Sequence, residues 1–296
     1  MIVNYNTCPM CSSNQINLFL KSKDFSMTQT SFDIYKCKSC DFTFTQNIPD
    51  QSSIGVYYTA ENYISHSDTK KGFIATLYHW VRNYMLAKKA KIVLNHSQGN
   101  TLLDIGSGTG YFLNTMKNKN WEVQGLEPSQ DAIISTQKKF NINAKHPDEL
   151  FSIKEASFNC ITMWHVLEHV HKLHDYAEQI KKILKPNGSW IIAVPNHSSF
   201  DAQFYKEAWA AYDLPIHLWH FTPNTMKNYA KQHGFEIVAY YRMPFDAFYI
   251  ALLSEKYREN PFGFVRGFLI GTISWFKALL NLKNCSSIIY ILKVKK

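Results

Sequence analysis

Four of the six cysteines form two closely spaced pairs, Cys8-Pro-Met-Cys11 and Cys37-Lys-Ser-Cys40. Each pair can bring two thiolates to one ion, and two pairs complete the closed four-sulfur shell of a structural zinc site. Such a shell leaves no position for water, so a catalytic role for the ion is not expected. A thioredoxin-like redox role is the alternative, but it needs a single pair followed by a helix within a βαβ unit. The spacing therefore predicts a small zinc ribbon over residues 1–50.

A glycine-rich loop lies near the middle of the chain, where Thr101-Leu-Leu-Asp-Ile105 runs directly into Gly106-Ser-Gly108-Thr-Gly110. Glycine allows the main chain to approach a ligand closely, and loops of this kind between a strand and a helix hold nucleotide cofactors. The next predicted strand, Trp121 to Leu126, ends at Glu127. A carboxylate there can accept hydrogen bonds from both hydroxyls of a ribose. The alternative for Glu127 is an ordinary carboxylate at a helix N-terminus, which the helix dipole favours.

The elements that must position these residues alternate between strand and helix patterns from about residue 100. Alternation of this kind indicates an α/β fold in which a parallel sheet carries helices on both faces. Two further strands, Glu236 to Met243 and Ser286 to Val294, are expected to pair at the end of the chain. Between them we expect a helical insert at about residues 246–284.

Five motifs in this region resemble those of the class I S-adenosylmethionine-dependent methyltransferases, over roughly residues 100 to 240. They are Leu102-Leu-Asp-Ile-Gly-Ser-Gly-Thr-Gly-Tyr-Phe112, Gly125-Leu-Glu-Pro-Ser129, Phe158-Asn-Cys-Ile-Thr-Met-Trp-His-Val-Leu-Glu-His-Val170, Ile183-Leu-Lys-Pro-Asn-Gly188 and Ile191-Ile-Ala-Val-Pro-Asn196. The resemblance implies a Rossmann-like α/β fold with a seven-stranded sheet flanked by helices. It also implies S-adenosyl-L-methionine as the cofactor.

The resemblance further implies a role for each matching position. Asp104 and the loop glycines would hold the methionine part of the cofactor, and Glu127 would hold its ribose. Asp148 or Glu149, after the third strand, would lie near the adenine. The two residues just past the fourth strand would border the cofactor and face the acceptor. The cofactor-binding residues implied by the resemblance are Asp104, Gly106, Gly108, Gly110, Glu127, Asp148, Glu149, Trp164 and His165.

Contacts to the acceptor are expected from the loops after the fourth and fifth strands, because ligands of open parallel sheets bind at the carboxyl ends of strands. The loop of residues 197–221 is rich in aromatic and imidazole side chains, which suits a hydroxyl-bearing or ring-bearing acceptor. Methyl transfer requires a positioned nucleophile and removal of its proton, and histidine can take a proton near neutral pH. The candidate bases are His220 and His217, ranked above His165, with His169 as a fourth. A histidine with an ordinary polar contact in a loop is the alternative for each.

His165-Val-Leu-Glu168-His169 also matches the His-x-x-Glu-His pattern of a class of zinc peptidases. On a continuous helix both histidines would share one face and could bind a metal ion. The segment begins at a strand end, however, so His165 is not expected to be helical. The glycine loop and Glu127 would also have no function in a peptidase. We therefore prefer the interpretation as the edge of an acceptor pocket.

A tyrosine-rich segment, Val56-Tyr-Tyr-Thr-Ala-Glu-Asn-Tyr-Ile-Ser-His66, and a predicted helix around Phe73 to Asn95 connect the zinc ribbon to the core. By resemblance to small-molecule methyltransferases, such a segment folds over the cofactor as a lid. A helical connector whose aromatic rings pack on the core is the alternative. The predicted division is a zinc ribbon at 1–50, a helical lid or linker at 51–98 and a methyltransferase core at 99–296.

The formal net charge of +9 is concentrated near the end of the chain, where residues 255–296 contain eight Lys or Arg and two Glu. A basic region of this kind suits nucleic acid, an anionic membrane surface or an acidic substrate, or it is a solvated face. Residues 262–282 are strongly apolar but contain Arg266 and Lys277, so we expect an interfacial membrane helix or a subunit interface of an oligomer. The first residues lack the pattern of a secretory signal, so a cytoplasmic location, peripheral to a membrane if the helix binds one, is the expectation.

The favoured function is methylation, at oxygen or carbon, of a small-molecule, sugar or lipid-linked acceptor. The alternative is an RNA methyltransferase whose zinc ribbon binds nucleic acid. The ribbon is not very basic, because Asp24, Asp33 and Asp41 offset its lysines. A third interpretation is a protein that binds the cofactor without catalysis, which the intact glycine loop and Glu127 disfavour.

Overall fold

The N-terminal part of the protein is a small β module, seen in a computed structural model that describes residues 1–58 and 73–295. Its strands are β1 (Ile2–Val3), β2 (Ile16–Lys23), β3 (Ser31–Cys37), β4 (Thr43–Thr45) and β5 (Ile48–Pro49). Strands β2, β3 and β4 form an antiparallel ribbon, and the second cysteine pair lies at the connection between β3 and β4. Strand β1 pairs with β5 and joins the start of the chain to the end of the module.

The four cysteines of the two pairs converge at one end of this ribbon. The sulfur atoms of Cys8 and Cys40 lie 3.6 Å apart, and those of Cys11 and Cys37 also lie 3.6 Å apart. All four sulfurs lie within 4.8 Å of one another. Four thiolates at about 2.3 Å from a tetrahedral zinc ion are roughly 3.8 Å apart. The donor set and its spacing therefore fit a closed zinc site.

The core of the chain alternates strands and helices, as expected. Its strands are β6 (Thr101–Ile105), β7 (Glu122–Leu126), β8 (Phe158–Trp164), β9 (Leu184–Pro195), β10 (Trp219–His220), β11 (Phe235–Arg242) and β12 (Ser287–Val294). Its helices are α1 (Phe73–His96), α2 (Tyr111–Lys117), α3 (Gln130–Phe140), α4 (Leu173–Ile183), α5 (Phe200–Tyr205), α6 (Pro223–Gln232), α7 (Asp246–Tyr257) and α8 (Gly263–Leu280). Strands β6, β8 and the second half of β9 are almost entirely buried because helices cover both faces of the sheet.

The main sheet has six strands in the order β11-β12-β9-β8-β6-β7, so the prediction of seven was wrong. Strands β7, β6, β8 and β9 are parallel, whereas β12 runs antiparallel to both β9 and β11. The pairing of the last two strands confirms the prediction made for them. At the outer edge, the missing strand is reduced to one bridge between Leu126 and Lys145. Pro147 opens a 3₁₀ helix two residues later, which leaves no room for a longer strand.

A short strand of the core joins the N-terminal module to the acceptor-side loop. Strand β10 pairs antiparallel with β4, so that the module sheet has the order β10-β4-β3-β2. Trp219 of β10 is buried, donates from its indole nitrogen to the carbonyl of Val170 at 2.7 Å, and contacts the rings of Phe42 and Tyr5. The module is therefore built into the wall of the core, and the two share one apolar cluster.

The two helices between β11 and β12 pack against each other and against the core. Asp201 of α5 is fully buried and accepts hydrogen bonds from Ser274 of α8, from Ser286 and from the indole nitrogen of Trp209. These bonds fix one side of α8 on the protein. Its other side carries exposed apolar residues: Phe264 76%, Val265 69%, Phe268 57%, Leu269 56% and Phe276 57%.

The segment predicted as a lid is described only in part. Residues Val56 to Tyr58 belong to the described region, and residues 59–66 lie outside it. The helix expected after the segment is present as α1, which confirms that prediction. Helix α1 packs on α2 and on the sheet through Ala90, Ile92 and Val93.

Replacement of Trp219 by Ala should destabilise the whole chain, because Trp219 holds the module and the core together. Removal of a buried tryptophan ring typically lowers the free energy of unfolding by about 3–5 kcal/mol. Chemical denaturation followed by both far-ultraviolet circular dichroism and metal release measures the effect. Trp80→Ala is the matched control, since Trp80 is 57% exposed. A Trp219→Ala protein that unfolds with wild-type stability would show that the module is not part of the core.

Candidate functional site

The glycine loop between β6 and α2 has the open geometry that a ligand-binding loop requires. Gly106, Gly108 and Gly110 all have positive φ, at 74°, 53° and 78°. A Cβ on Gly106 would lie 2.3 Å from the side chain of Val166, so the loop packs directly on the segment after β8. A Cβ on Gly108 would meet nothing within 4 Å. The main chain at Gly108 is therefore open to a ligand.

Glu127, just past the end of β7, is held beside this loop. Its carboxylate is buried and accepts main-chain N–H groups from Gly108 at 2.8 Å and from Ser129 at 2.9 Å. Carboxylate oxygens accept hydrogen bonds from hydroxyl groups, as a contact with a ribose requires. Ser129 caps α3 by accepting from the nitrogen of Ala132. Glu127 thus contacts both the start of α3 and the glycine loop, and this geometry is compatible with the predicted ribose contact.

Asp104 lies at the centre of the sheet, behind the glycine loop. It is 1% exposed, and the hydroxyl of Thr162 donates to it at 2.6 Å. Burial raises the pKa of Asp104, while the nearby ammonium of Lys89 acts in the opposite direction. Lys89 also lies over the ring of Trp164, 4.6 Å from its centroid. Trp164 is buried at the end of β8 and packs edge-on against Phe112.

The two acids expected near the adenine lie at the rim of the site. Asp148 and Glu149 belong to a 3₁₀ helix of residues 147–152 and are mostly exposed. Asp148 contacts the ring of His146 at 3.1 Å, and Glu149 lies 3.8 Å from the ammonium of Lys145. Their contact with an adenine stays a prediction.

His165 is clamped between two carboxylates at the carboxyl end of β8. Its Nδ1 lies 3.3 Å from Glu168 and its Nε2 lies 3.2 Å from Asp246. Its φ is 58°, and its main-chain nitrogen donates to Ala193, which fixes the ring at the end of the sheet. Burial opposes the charged form, yet the two carboxylates together raise the pKa of His165 to about 9. His165 therefore carries a proton at neutral pH.

Glu168, His169 and His217 form a second cluster next to His165. One carboxylate oxygen and one nitrogen from each ring lie within 4.8 Å of one another. Nδ1 of His169 lies 3.0 Å from the carbonyl of Ile216, and Nδ1 of His217 lies 2.9 Å from the carbonyl of Ala211. Burial lowers the pKa of His169 to about 4 and also lowers that of His217. Both rings are therefore neutral, and each holds its lone pair on Nε2.

His220 belongs to the joint between module and core. Its Nε2 lies 2.9 Å from the hydroxyl of Thr45 in β4, and its ring packs edge-on against Tyr212. Burial lowers the pKa of His220 well below its ordinary value. Thr45 also donates to the main-chain carbonyl of His217 at 2.8 Å, so the module helps to hold the main chain of His217 in place.

Tyr58 connects the cluster to the cofactor side of the site. Its hydroxyl lies 3.2 Å from Nδ1 of His169. Burial raises the pKa of Tyr58, and the charges of Asp213, Glu168 and Glu127 raise it further. The tyrosine thus lies among carboxylates of both sites, at the end of the described part of the predicted lid.

The structure brings together residues that the motifs identified and others that they did not. The histidines of the His-x-x-Glu-His pattern diverge, because His165 contacts Asp246 while His169 contacts Ile216. Residues 167–169 form a single 3₁₀ turn, so the peptidase arrangement on one helix face does not occur. Lys89 and Asp246 were missed. Each comes from a helix that no motif covers, and a lone charged residue there looks like part of a solvated face.

Comparison with known proteins identifies the fold and the reaction class. The model of a methyltransferase domain family, Methyltransf_23, matches residues 77–240, more than half of the chain. No curated protein matches the chain.

Two solved structures share the fold. One is a Haloferax volcanii complex of the Trm112 methyltransferase activator with a methyltransferase, at 15% identity and a TM-score of 0.52, over 73% of this chain and 91% of that one. The other is an S-adenosylmethionine-dependent methyltransferase from Archaeoglobus fulgidus, at 18% identity and a TM-score of 0.50, over 72% and 94%. The glycine loop, Glu127 and the strand order agree with these matches, and the chain belongs to the S-adenosylmethionine-dependent methyltransferases.

Proposed function

We propose that this methyltransferase acts at oxygen or carbon of a small hydroxyl-bearing acceptor, such as a sugar or a lipid-linked compound. The observation that carries the proposal is the pair of neutral imidazoles, His169 and His217, at the carboxyl end of the sheet. Free imidazole lone pairs beside a carboxylate form a site that accepts hydrogen bonds. An acceptor that donates through hydroxyl groups complements such a site.

The cofactor-side residues would hold S-adenosylmethionine, which when bound supplies a methyl group that a nucleophile attacks in line. Glu127 would accept the ribose hydroxyls, and the main chain at Gly108 would lie against the cofactor. Asp104 would act from beneath the loop, where the hydroxyl of Thr162 donates to it and the ammonium of Lys89 partly opposes the effect of burial on its pKa. Trp164 and the protonated His165 would close the acceptor side.

Among the candidate bases, the geometry favours His217. His165 is held in its protonated form by Glu168 and Asp246, which suits orientation rather than proton removal. Nε2 of His220 is engaged with Thr45 of the module. His217 combines a neutral ring with an Nε2 that lies 3.9 Å from Asp213, so it is the histidine we expect to assist removal of the acceptor proton.

A lipid-linked acceptor is consistent with the outer face of α8. Among the described residues, α8 is the one helix that is long enough and apolar enough to cross a membrane. Its 18 residues span only about 27 Å. Because Asp201 fixes one side of it on the core, we expect α8 to lie in the membrane surface with its apolar side in the acyl region. Arg266 and Lys277 on the same helix would attract anionic headgroups.

The charge of the N-terminal module fits a small-molecule acceptor better than it fits an RNA substrate. Residues 1–50 contain four lysines and four aspartates, so the module carries no net basic charge for a phosphate backbone. Two of the lysines are paired, Lys21 with Asp33 and Lys36 with Asp41. We infer that the four cysteines hold a structural zinc ion that stiffens the wall of the acceptor site.

Replacement of Glu127 by Ala should weaken binding of S-adenosylmethionine, because the ribose loses its acceptor and Gly108 loses its support. We expect a loss of about 1–3 kcal/mol, the range for hydrogen bonds to a charged group. Isothermal titration calorimetry measures it. Glu122→Ala, on the exposed start of the same strand, is the control and should bind normally. Equal affinity of the wild type and the Glu127→Ala protein would contradict the assigned role.

Replacement of His217 by Ala should lower methyl transfer by roughly 10²–10⁴-fold, the contribution of assisted proton removal. The assay uses isotope-labelled S-adenosylmethionine at saturation and a panel of glycosides and lipid-linked sugars. His146→Ala, an exposed histidine outside the cluster, is the control. If His217→Ala retains more than about a tenth of wild-type turnover, the acceptor needs no assistance from this imidazole.

Replacement of Phe264 and Phe268 by Ser should release the protein from membranes. Burying one phenylalanine contributes about 1.5–3 kcal/mol, so loss of two should lower the partition coefficient by at least roughly 100-fold. Sedimentation with vesicles of phosphatidylcholine and phosphatidylserine measures partitioning, and vesicles of phosphatidylcholine alone test the charge contribution. A double replacement of the exposed Phe19 and Phe151 is the control. Wild-type protein that stays in the supernatant with both vesicle types would exclude a membrane contact.

A further inference from the structure

Two distant parts of the chain meet at the cluster of Glu168, His169 and His217. Glu168 and His169 lie on the 3₁₀ turn after β8, and His217 lies in the loop before β10. The main-chain nitrogen of Leu218 donates to the carbonyl of Glu168 at 2.8 Å, which ties the turn to the loop. The two imidazole rings are 4.6 Å apart between centroids and nearly perpendicular. The three side chains are therefore held in place by main-chain contacts of their own elements.

Each imidazole of the cluster is oriented by a main-chain carbonyl. A carbonyl oxygen can only accept, so Nδ1 of His169 donates to Ile216 and Nδ1 of His217 donates to Ala211. The lone pair of each ring is thereby placed on Nε2. Metal-binding histidines are held in this way, with the second ring nitrogen donating to a carbonyl or carboxylate. The rings are arranged as ligands before any ion is present.

The carboxylate of Glu168 supplies the independent evidence for a missing partner. Its side chain is fully buried, and one oxygen contacts His165. The other oxygen has no hydrogen-bond partner among the described residues. A buried carboxylate oxygen without a partner is strongly unfavourable, and native proteins rarely leave one unsatisfied. The two neighbouring imidazoles cannot satisfy it, because their N–H groups already point to main-chain carbonyls.

We propose that Glu168, His169 and His217 bind a divalent first-row transition-metal ion such as Zn²⁺, Mn²⁺ or Fe²⁺, at a site separate from the four cysteines. Two imidazoles and one carboxylate are a donor set for these ions, whereas Mg²⁺ and Ca²⁺ prefer oxygen ligands alone. The carboxylate of Asp213 lies beside the proposed site, with one oxygen 3.9 Å from Nε2 of His217. Ligand atoms within 4.8 Å need only small side-chain shifts to reach metal distances of about 2.0–2.2 Å.

A metal ion at this site would select acceptors that can bind it through oxygen. This inference rests on the proposed function. Three protein ligands leave open positions, which an acceptor hydroxyl can occupy. A metal ion lowers the pKa of a bound hydroxyl, so the oxygen becomes nucleophilic at neutral pH. The proton passes to the carboxylate of Asp213, whose side chain is 36% exposed and can transfer it to water. The assistance expected from His217 then consists of holding the ion, and an acceptor with adjacent oxygens would bind it best.

The test is a titration with Co²⁺, followed by visible absorption, of the full-length chain carrying a single equivalent of zinc, which the four thiolates hold. Wild-type protein should take up one equivalent with the spectrum of a nitrogen and oxygen ligand set. It should lack the thiolate charge-transfer band expected if cobalt entered the four-cysteine site. His169→Ala and His217→Ala should each weaken this binding by more than about 100-fold, beyond the 10–100-fold that loss of an indirect partner causes. His146→Ala should bind as the wild type does. Absence of the cobalt equivalent in the wild type, or its survival in both histidine variants, would overturn the proposal.

Two further measurements keep the outcome interpretable. Glu168→Gln preserves the size of the side chain but removes the anionic ligand, so it should weaken cobalt binding even if an alanine variant folds poorly. Cys37→Ser should lose zinc from the module yet retain the cobalt equivalent. Calorimetry with S-adenosylmethionine is run on every variant. Cofactor binding without cobalt binding refutes the metal site and leaves the proposed function intact, whereas absence of cofactor binding and of methyl transfer in the wild type refutes the proposed function.

Discussion

Buried carboxylates at the carboxyl edge of the sheet are the constraint on which the rest of this structure depends. Three carboxylates are almost inaccessible to solvent, those of Asp104, Glu127 and Glu168. Each has a different kind of hydrogen-bonding or charged partner. Glu127 is matched by main-chain N–H groups, Asp104 by a hydroxyl and a nearby ammonium, and Glu168 by a protonated imidazole on one oxygen only. An unpaired buried charge is so unfavourable that these partners must be positioned accurately. The glycine loop, the turn after β8 and the first residue of α7 are all fixed by this requirement.

The N-terminal module is part of the wall of the core. Its strand β4 pairs with β10, and the hydroxyl of Thr45 contacts both the carbonyl of His217 and the ring of His220. The module therefore supports the elements that carry these two histidines.

The motifs predicted that the glycine loop and Glu127 lie together, but they did not predict the surroundings of the candidate bases. The glycine loop and Glu127 follow from local rules, since a strand, a tight turn and a helix determine where those residues lie. The surroundings of the candidate bases depend on tertiary pairing, which spacing along the chain does not encode. Spacing does not distinguish His217, His220 and His165. In the structure, His217 lies near the carboxylate of Asp213, His220 contacts the module, and His165 contacts Asp246. The predicted seventh strand does not form, and the reason is local. Pro147 begins a 3₁₀ helix, so the extended segment before it makes only one bridge.

The pairing of β4 with β10 also has a consequence for how the molecule is assembled. Thr45 and His220 are 175 residues apart in the sequence, so their contact closes a very large loop. Loop-closure entropy makes contacts of high sequence separation form late and slowly. The glycine loop and its flanking strands, whose contacts are far more local, can reach their final arrangement first. During synthesis the ribosome must therefore release almost the whole core before the joint between module and core is complete, and the exposed edges of β4 and β10 depend on rapid docking to avoid aggregation.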